Sequence, residues 1–198
     1  MMKPNQSGFS LIETVIAMGI LATGLLGMAG VFTLGMAHMA TSSANLIARE
    51  KAREAVESVH TARDTRTISW CQIYNVSSTR TSDCATAPAA VFLDASVVVK
   101  DPGADGLVNT GDDGAVSEQR LPGPNGTLGD SDDIRIPLSN FKRKIEITNV
   151  VEGSTTNANL KKIVVTIDYT VGGSPDDPVT VKKIRRQYVL TTYVSSIS

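Results

Sequence analysis

The pattern of apolar and polar residues changes twice along the 198-residue chain, and each pattern predicts a different element. Residues 14–37 are a run of 24 residues without a formal charge, and about 20 apolar residues are enough for a helix to cross a bilayer. Apolar residues then recur every three or four positions, which predicts an amphipathic helix. Farther along, apolar and polar residues alternate, which predicts strands. We therefore expect an α+β fold, in which a long N-terminal helix packs on an antiparallel sheet.

The amphipathic part of the predicted helix has one apolar face, formed by Ala52, Ala55, Val56, Val59 and Ala62. We expect the helix to end near residues 63–67, where β-branched and hydroxyl residues take over. A helix of about 55 residues is about 80 Å long at 1.5 Å per residue, and no small domain can bury that length. Residues 9–39 therefore need a bilayer or neighbouring subunits, and residues 40–198 are expected to form a separate head domain.

Four strands are predicted in the head domain. Two of them, residues 142–151 and 161–171, alternate apolar with polar residues, as a sheet with one buried face requires. Residues 172–175, Gly-Gly-Ser-Pro, are expected to turn the chain. The other two strands are predicted at residues 91–99 and 179–194, the latter with a β-bulge at Lys182-Lys183, where the alternation breaks.

One charge, Glu13, stands at the head of the apolar run. Lys3 is the charged residue before it and Arg49 the charged residue after it. A carboxylate near a bilayer core costs about 2.5–3.5 kcal/mol, so its presence indicates a function. The run is too long for the apolar core of a secretory signal peptide, which has about 7–15 residues. A plain membrane anchor fits the length but gives no reason for Glu13.

The short basic leader, the sequence Gly8-Phe9-Ser-Leu-Ile-Glu13 and the long apolar helix together resemble the N-terminus of type IV pilins and pseudopilins. The resemblance implies that prepilin peptidase removes residues 1–8, cutting between Gly8 and Phe9, and that the new amine of Phe9 is methylated. It implies that Glu13 pairs with the Phe9 amine of a neighbouring subunit. The expected partners are prepilin peptidase, other pilin subunits and the inner membrane, which the chain crosses once with its N-terminus in the cytoplasm.

Residues 17–30 are most similar to the PilV-type minor pilins, although Gly30 stands where many major pilins have proline. The sequence therefore favours a minor pilin of a type IV pilus. Two alternatives stay open: a minor pseudopilin of a type II secretion system, and a membrane-anchored calcium-dependent adhesion domain that never polymerises.

Cys71 and Cys84 are the two cysteines of the chain. Beyond the membrane, in an oxidising compartment, an even pair of cysteines indicates a disulfide. The bond would close a loop of about 14 residues, worth about 3 kcal/mol in the chain-entropy description. We place it in the connection between the helix and the sheet.

Charge is unevenly distributed in the head domain. Residues 101–133 contain eight acidic residues against one base, whereas residues 134–198 contain ten bases against five acids. The acidic stretch is predicted to be an inserted loop. The basic pairs Lys182-Lys183 and Arg185-Arg186 have no aromatic residue between them. They predict a solvated sheet face rather than a nucleic-acid site.

The acidic loop contains an internal repeat with an offset of 20 residues, because residues 102–113 and 122–133 share Pro-Gly-x-(Asp/Asn)-Gly and a terminal Asp-Asp. Oxygen ligands spaced along glycine-rich backbone suit calcium, which takes six to eight of them. An EF-hand is excluded, since the loops lack the closing Glu. The candidate ligands are Asp101, Asp105, Asn109, Asp112, Asp113, Asn125, Asp130, Asp132 and Asp133.

The two copies of the repeat differ as candidate calcium loops. The end of the second copy, Asp132-Asp133-Ile134, is similar to the calcium loop of major pseudopilins. The first copy keeps Asp105 where the second has Asn125, so the sequence predicts that the first copy contributes more to calcium-dependent stability.

The sequence contains no Gly-x-Ser-x-Gly, His-Glu-x-x-His or Walker-type phosphate loop. We therefore expect a structural subunit that is not an enzyme and has no small-molecule substrate.

Overall fold

The computed structural model describes residues 10–171 and 184–196. The chain divides into two compact units, Met1–Ser42 and Ser43–Ser198. Three predictions lie outside the described residues: the cleavage site between Gly8 and Phe9, the turn at residues 172–175 and the bulge at Lys182-Lys183.

Helix α1 spans Leu11–Asp64 and runs without interruption through Gly30. Its end at Asp64 agrees with the expected end. In the first unit the large apolar side chains of α1 are exposed, at values between 58% for Ile16 and 82% for Leu11. By length and composition alone, α1 is long and apolar enough to cross a membrane. An apolar surface of this extent is unfavourable in water, so this part of the helix requires another environment.

In the second unit, α1 buries one narrow face. Ala48, Ala52, Ala55 and Val59 have no exposed surface, and Ala62 is 5% exposed. This confirms the predicted face, except that Val56 is only partly buried and Ala48 extends the face by one turn. Most of these side chains are methyl groups, and they belong to the same buried cluster as the apolar residues of the sheet.

The described residues form six strands: β1 (Val97–Val98), β2 (Glu118–Leu121), β3 (Ile134–Pro137), β4 (Phe141–Glu152), β5 (Thr155–Val171) and β6 (Ile184–Ser195). The main sheet has four antiparallel strands in the order β1-β4-β5-β6, and β2 and β3 form a separate two-stranded hairpin. The buried side of the main sheet presents Ile145, Ile147, Ile163, Val165 and Ile167 to the helix. The predicted α+β fold, with a long helix packed on an antiparallel sheet, is therefore confirmed.

The predicted strand at residues 91–99 is wrong for most of its length, because only Val97–Val98 pair with β4. Phe92 instead forms an isolated parallel bridge with Asn75. Asp94 interrupts the strand, since its carboxylate accepts hydrogen bonds from the backbone N–H and the hydroxyl of Ser77.

The connection between α1 and the sheet carries the Cys71–Cys84 disulfide, with the two Cα atoms 5.2 Å apart. The predicted pairing and its place in the fold are both confirmed. Each cysteine lies in a short 3₁₀ turn, Trp70–Gln72 or Ser82–Cys84.

The β2–β3 hairpin was not predicted. It leaves the main body at Ser117 and returns at Leu138, where the backbone N–H of Leu138 donates to the carbonyl of Ser117 at 2.8 Å. Ser117 is fully buried and Leu138 is 3% exposed, so the base of the hairpin is anchored in the core. The second copy of the repeat connects the two strands.

Candidate functional site

The two copies of the acidic repeat fold into matching loops, which we call loop one (residues 102–113) and loop two (residues 122–133). In each, a glycine adopts a left-handed conformation, with φ of 71° at Gly106 and 74° at Gly126. That region favours glycine, because a side chain would clash with the backbone. The sequence repeat is therefore a structural repeat.

Equivalent hydrogen bonds shape both loops. In each, the first acid or amide accepts from the backbone two residues on, and the last aspartate accepts from the backbone four residues earlier. In loop one these bonds run from Leu107 N to Asp105 Oδ1 (2.8 Å) and from Asn109 N to Asp113 Oδ2 (2.9 Å); in loop two they run from Thr127 N to Asn125 Oδ1 (2.7 Å) and from Gly129 N to Asp133 Oδ2 (2.8 Å).

The first glycine of each loop allows a close approach. A Cβ atom at Gly103 would overlap Asp112, and one at Gly123 would overlap Asp132. The aspartates of the terminal Asp-Asp pair therefore fold back against the start of their own loop. This explains why the Pro-Gly pair and the Asp-Asp pair occur together in both copies.

The loops differ in how they are anchored. Leu107 and Val108 of loop one are fully buried in the core, followed by Asn109 at 0% and Thr110 at 3% exposure. Leu128 of loop two, which matches Val108 in the repeat register, is 64% exposed. Loop one is therefore part of the folded body, whereas loop two is presented to solvent.

The loops also differ at the position of Thr110, which is Asp130 in loop two. The Thr110 hydroxyl lies 2.8 Å from Asp112 Oδ1 and 3.1 Å from Asp113 Oδ1. The Thr110 backbone N–H also donates to Asp113 Oδ1. With no hydroxyl at residue 130, Asp133 Oδ1 is a buried oxygen without a hydrogen-bond partner among the described residues.

Carboxylates converge in loop two. Asp130, Asp132 and Asp133 each offer an oxygen, and these oxygens lie within 4.8 Å of one another. The Asn125 amide group donates to Asp130 and to Asp132, at 2.6 and 3.1 Å. Hydrogen bonding with Asp132, and then with Asn125, lowers the pKa of Asp130. Asp130 thus keeps its negative charge at neutral pH, close to the carboxylates of Asp132 and Asp133.

In loop one the acidic side chains make different contacts from those in loop two. Burial, outweighing a hydrogen bond from Leu107, raises the pKa of Asp105, and the charges of Asp112 and Asp113 add to the rise. The Thr110 hydroxyl lowers the pKa of Asp112. Asp101 accepts a hydrogen bond from the Ser117 hydroxyl at 2.6 Å, and among the described residues no hydrogen bond joins it to the loop carboxylates.

The convergence of carboxylates favours loop two as a metal-ligating group, whereas the sequence-based prediction gave the larger calcium-dependent stability to loop one. Among the described residues, the carboxylates that meet as a possible metal-ligating group lie in loop two. The ranking relied on the extra acid at Asp105. The residue that distinguishes the two loops is Thr110 in loop one and Asp130 in loop two, and this difference was visible in the sequence.

Two buried cations near the loops and the connection were missed by sequence reasoning. Arg143, with 0% exposure, lies 3.6 Å from Glu54 of the helix and donates to the carbonyl of Lys100 at 3.2 Å. Burial lowers its pKa, while the negative charges of Glu54, Asp113 and Asp101 raise it. The guanidinium therefore supplies positive charge beside loop one.

Lys161 is the second buried cation. Its Nζ lies 3.9 Å from the ring centroid of Trp70 and 3.6 Å from that of Tyr74. It donates to the carbonyl of Trp70 at 2.6 Å. Burial lowers the pKa of Lys161 to about 7. This contact fixes the disulfide-bearing connection against β5, and its only sequence signal is a lysine at an inward position of an alternating strand.

Of the predicted assembly residues, the structure describes Glu13. It lies in the first turn of α1, where its backbone N–H donates to Ser10 O at 3.0 Å, and its side chain is exposed. Around it the helix surface is apolar, with Leu11 82%, Ile12 68% and Ile16 58% exposed.

A comparison with protein families matches residues 3–29 to the family described as the prokaryotic N-terminal methylation motif. The match covers Gly8, Phe9 and Glu13 and indicates a type IV pilin-like prepilin, a substrate of prepilin peptidase that assembles with other pilins. No curated protein and no solved structure matches the chain.

Proposed function

We propose that the protein is a minor pilin, of the PilV type, that is built into a type IV pilus through its N-terminal helix. The observation that carries the proposal is the methylation motif at residues 3–29, continuous with an exposed apolar helix. The first turn of this helix contains Glu13, the single carboxylate of the helix before Arg49. The buried helix face and the sheet of the second unit supply the head domain that such a subunit carries.

The exposed apolar surface of α1 is covered in two successive environments. Before assembly, the inner membrane covers it, and Lys3 keeps the N-terminus on the cytoplasmic side. After assembly, the helices of neighbouring subunits cover the same surface. Glycines at positions 19, 24, 27, 30 and 35 favour this second environment, because small residues let helices approach closely in an apolar medium.

Glu13 has a specific role in this proposal. A carboxylate in an apolar environment is tolerable only with a positive partner. Cleavage after Gly8 creates such a partner, the amine of Phe9, on each processed subunit. We infer that Glu13 of one subunit pairs with the Phe9 amine of the next, which favours the register of assembly.

The test combines processing and incorporation. Protein from cells with prepilin peptidase should begin at Phe9 with a methylated amine, measured by N-terminal mass analysis. Glu13→Leu should be cleaved and remain in the membrane but be depleted from sheared pili. Thr14→Val, which removes a neighbouring hydroxyl and no charge, is the matched control. Retention of Met1, or normal incorporation of Glu13→Leu, would reject the assembly role.

The two alternatives predict different locations for the processed chain. A minor pseudopilin of a type II secretion system would be absent from sheared surface filaments, and its loss would impair protein secretion. A membrane-anchored adhesion domain would stay in the membrane fraction whether or not Glu13 is present. Recovery of the chain in surface pili, dependent on Glu13, favours the minor pilin.

We also propose that loop two binds calcium. Three carboxylates converge within 4.8 Å, and Asp133 Oδ1 is buried without a hydrogen-bond partner among the described residues. A cation would satisfy this oxygen and offset the mutual repulsion. Carboxylate oxygens on a glycine-rich loop suit calcium better than magnesium, which demands a rigid octahedral arrangement. Asp130, Asp132 and Asp133 would hold the ion, and its role would be to order the loop.

The calcium proposal is tested by melting the protein in calcium, in magnesium and in chelator. Extracellular calcium sites bind at about 10⁻⁴ to 10⁻³ M. At free calcium 100 times the dissociation constant, one site adds about 2.7 kcal/mol, but near the dissociation constant it adds only about 0.4 kcal/mol. Magnesium should have little effect. Identical melting curves in calcium and chelator, with no calcium in native mass spectra, would reject the site.

A further inference from the structure

The β2–β3 hairpin presents apolar side chains to solvent around its acidic loop. Leu128 is 64% exposed, Ile134 53%, Ile136 42% and Leu121 38%. An isolated two-stranded hairpin is marginally stable in water, and clustered exposed apolar residues mark an interaction surface. The hairpin therefore has the properties of an element that is completed by a partner.

A groove at one end of the main sheet has the complementary charge. It encloses about 510 Å³ and is lined by three cations, Lys142, Arg185 and Arg186, and one acid, Asp168. Ser139, Asn140 and Thr170 add polar groups to the wall. Within residues 10–171 and 184–196, no ion pair engages any of the three cations.

We propose that loop two and its hairpin, in the calcium-free state of the loop, dock into this basic groove on a second copy of the chain. The hairpin and the groove carry opposite charge. Among the described residues of one chain, no hydrogen bond or ion pair joins them. Two complementary surfaces that do not meet within one molecule suit a head-to-tail contact, which repeats from copy to copy and builds an open array. The contact specifies one surface for the subunit assembly proposed above and rests on that proposal.

Loop one provides an internal precedent for this docking. It has the same backbone, its apolar residues Leu107 and Val108 are fully buried, and the buried guanidinium of Arg143 interacts electrostatically with Asp113. Loop two has Leu128 at the position of Val108, where it is 64% exposed, and Asp133 at the position of Asp113. Among the described residues, no ion pair joins Asp133 to a cation. The groove of a second copy, with Arg185 and Arg186, supplies the cations.

Cross-linking between two populations of the full chain tests the contact directly. One population carries Ser131→Cys in loop two and the other Ser139→Cys in the groove; both are near-isosteric changes at exposed positions. They are mixed in detergent micelles with chelator and a short bismaleimide. We expect a cross-linked heterodimer, with a yield about tenfold above that from Ser131→Cys mixed with Ser154→Cys, since a difference of about 1.4 kcal/mol is tenfold.

A charge exchange then tests the electrostatic basis. Asp130→Lys with Asp132→Lys should lower the cross-linked yield about tenfold or more, because like charges placed together cost several kcal/mol. Arg185→Asp with Arg186→Asp should do the same, and mixing the two altered populations should restore it. Rescue by the mixture shows that the losses do not arise from misfolding.

Several outcomes would overturn the proposal. Equal yields with Ser139→Cys and Ser154→Cys would do so, as would a dominant product between two Ser131→Cys chains or a charge exchange without rescue. Competition of single-stranded DNA for the groove, with no heterodimer in its absence, would assign the groove to nucleic acid instead. The assay uses chelator and micelles, so it requires neither calcium binding nor pilus assembly. Its failure is thus distinguishable from failure of the proposed function.

Discussion

Loop one and loop two have the same turns, the same left-handed glycine and the same hydrogen bonds from the backbone to side-chain oxygens. Val108 of the first is fully buried, whereas the equivalent Leu128 of the second is 64% exposed. The Thr110 hydroxyl closes the carboxylate group of loop one, whereas Asp130 leaves an oxygen of Asp133 unpaired among the described residues. The same backbone conformation thus occurs in two settings. In loop one, buried residues anchor it in the core, and in loop two, converging carboxylates lie at an exposed position.

The largest expected effect comes from the buried residues that anchor loop one in the core. Leu107→Ala should lower the free energy of unfolding by about 2–5 kcal/mol, because it removes a fully buried side chain and leaves a cavity. Leu128→Ala, the same change at an exposed leucine, should stay within about 0.5 kcal/mol. Chemical denaturation of the two variants measures the difference. Similar losses at both leucines would mean that loop two is also anchored in its own chain.

The proposed calcium site of loop two is tested by exchanging the residues that distinguish the loops, Thr110 and Asp130. Asp130→Thr gives loop two the hydroxyl of loop one and should abolish calcium stabilisation, a loss of about 2.7 kcal/mol at calcium 100 times the dissociation constant. Thr110→Asp makes the reverse change and is the matched variant; it should leave the response of loop two intact. Melting temperatures in calcium and chelator provide the readout. A full calcium response in Asp130→Thr would place the ion elsewhere.

A smaller gain is expected from Asn125→Asp, which gives loop two the acid that loop one has at Asp105. The extra carboxylate replaces an amide group that donates to Asp130 and Asp132. Calcium affinity should rise about tenfold, or about 1.4 kcal/mol, because ligand charge count tunes such sites. Calorimetric titration measures it. Unchanged affinity would show that residue 125 does not face the ion.

The smallest effect is expected from Asp105→Asn, the converse change. The pKa of Asp105 is raised above 3.8, so its ionised form destabilises the folded state at neutral pH. The variant should therefore be more stable at pH 7 by less than about 1 kcal/mol, because the group is partly solvated. The gain should shrink as pH falls through the raised pKa and disappear below 3.8, where the acid is protonated in both states. Unfolding curves at pH 7 and pH 3.5 would show it; a gain that grows in acid would contradict the assigned direction.

Much of the fold followed from periodicity, because the elements with long, regular patterns are those whose burial is set locally. The helix face with Ala52, Ala55 and Val59 and the alternation along β5 were both predicted correctly. The β2–β3 hairpin was missed, since strands of four residues carry too short a pattern and are exposed on most positions. The strand at residues 91–99 was overestimated because its apolar residues pack into the core through a loop.

The candidate site was only partly predictable. The repeat register identified the acids, and the glycines indicated the turns. The residue that distinguishes the two copies, Thr110 in loop one and Asp130 in loop two, was visible in the sequence. The burial of Leu107 in the core and the position of Arg143, on β4, beside loop one depend on long-range contacts and were not predicted. Buried cations such as Lys161 are equally hidden, because their partners Trp70 and Tyr74 are remote in sequence.

The hydrogen bond between Leu138 N and Ser117 O joins the two ends of the β2–β3 hairpin at 2.8 Å. A segment whose two ends are hydrogen-bonded to each other can be shortened, lengthened or replaced without changing the path of the chain on either side. The cost of varying its length is also low, since doubling a loop costs only about 0.6 kcal/mol in closure entropy. The outer surface of the protein can therefore diversify by whole repeat units, while the buried face of α1 and the main sheet keep the same dimensions.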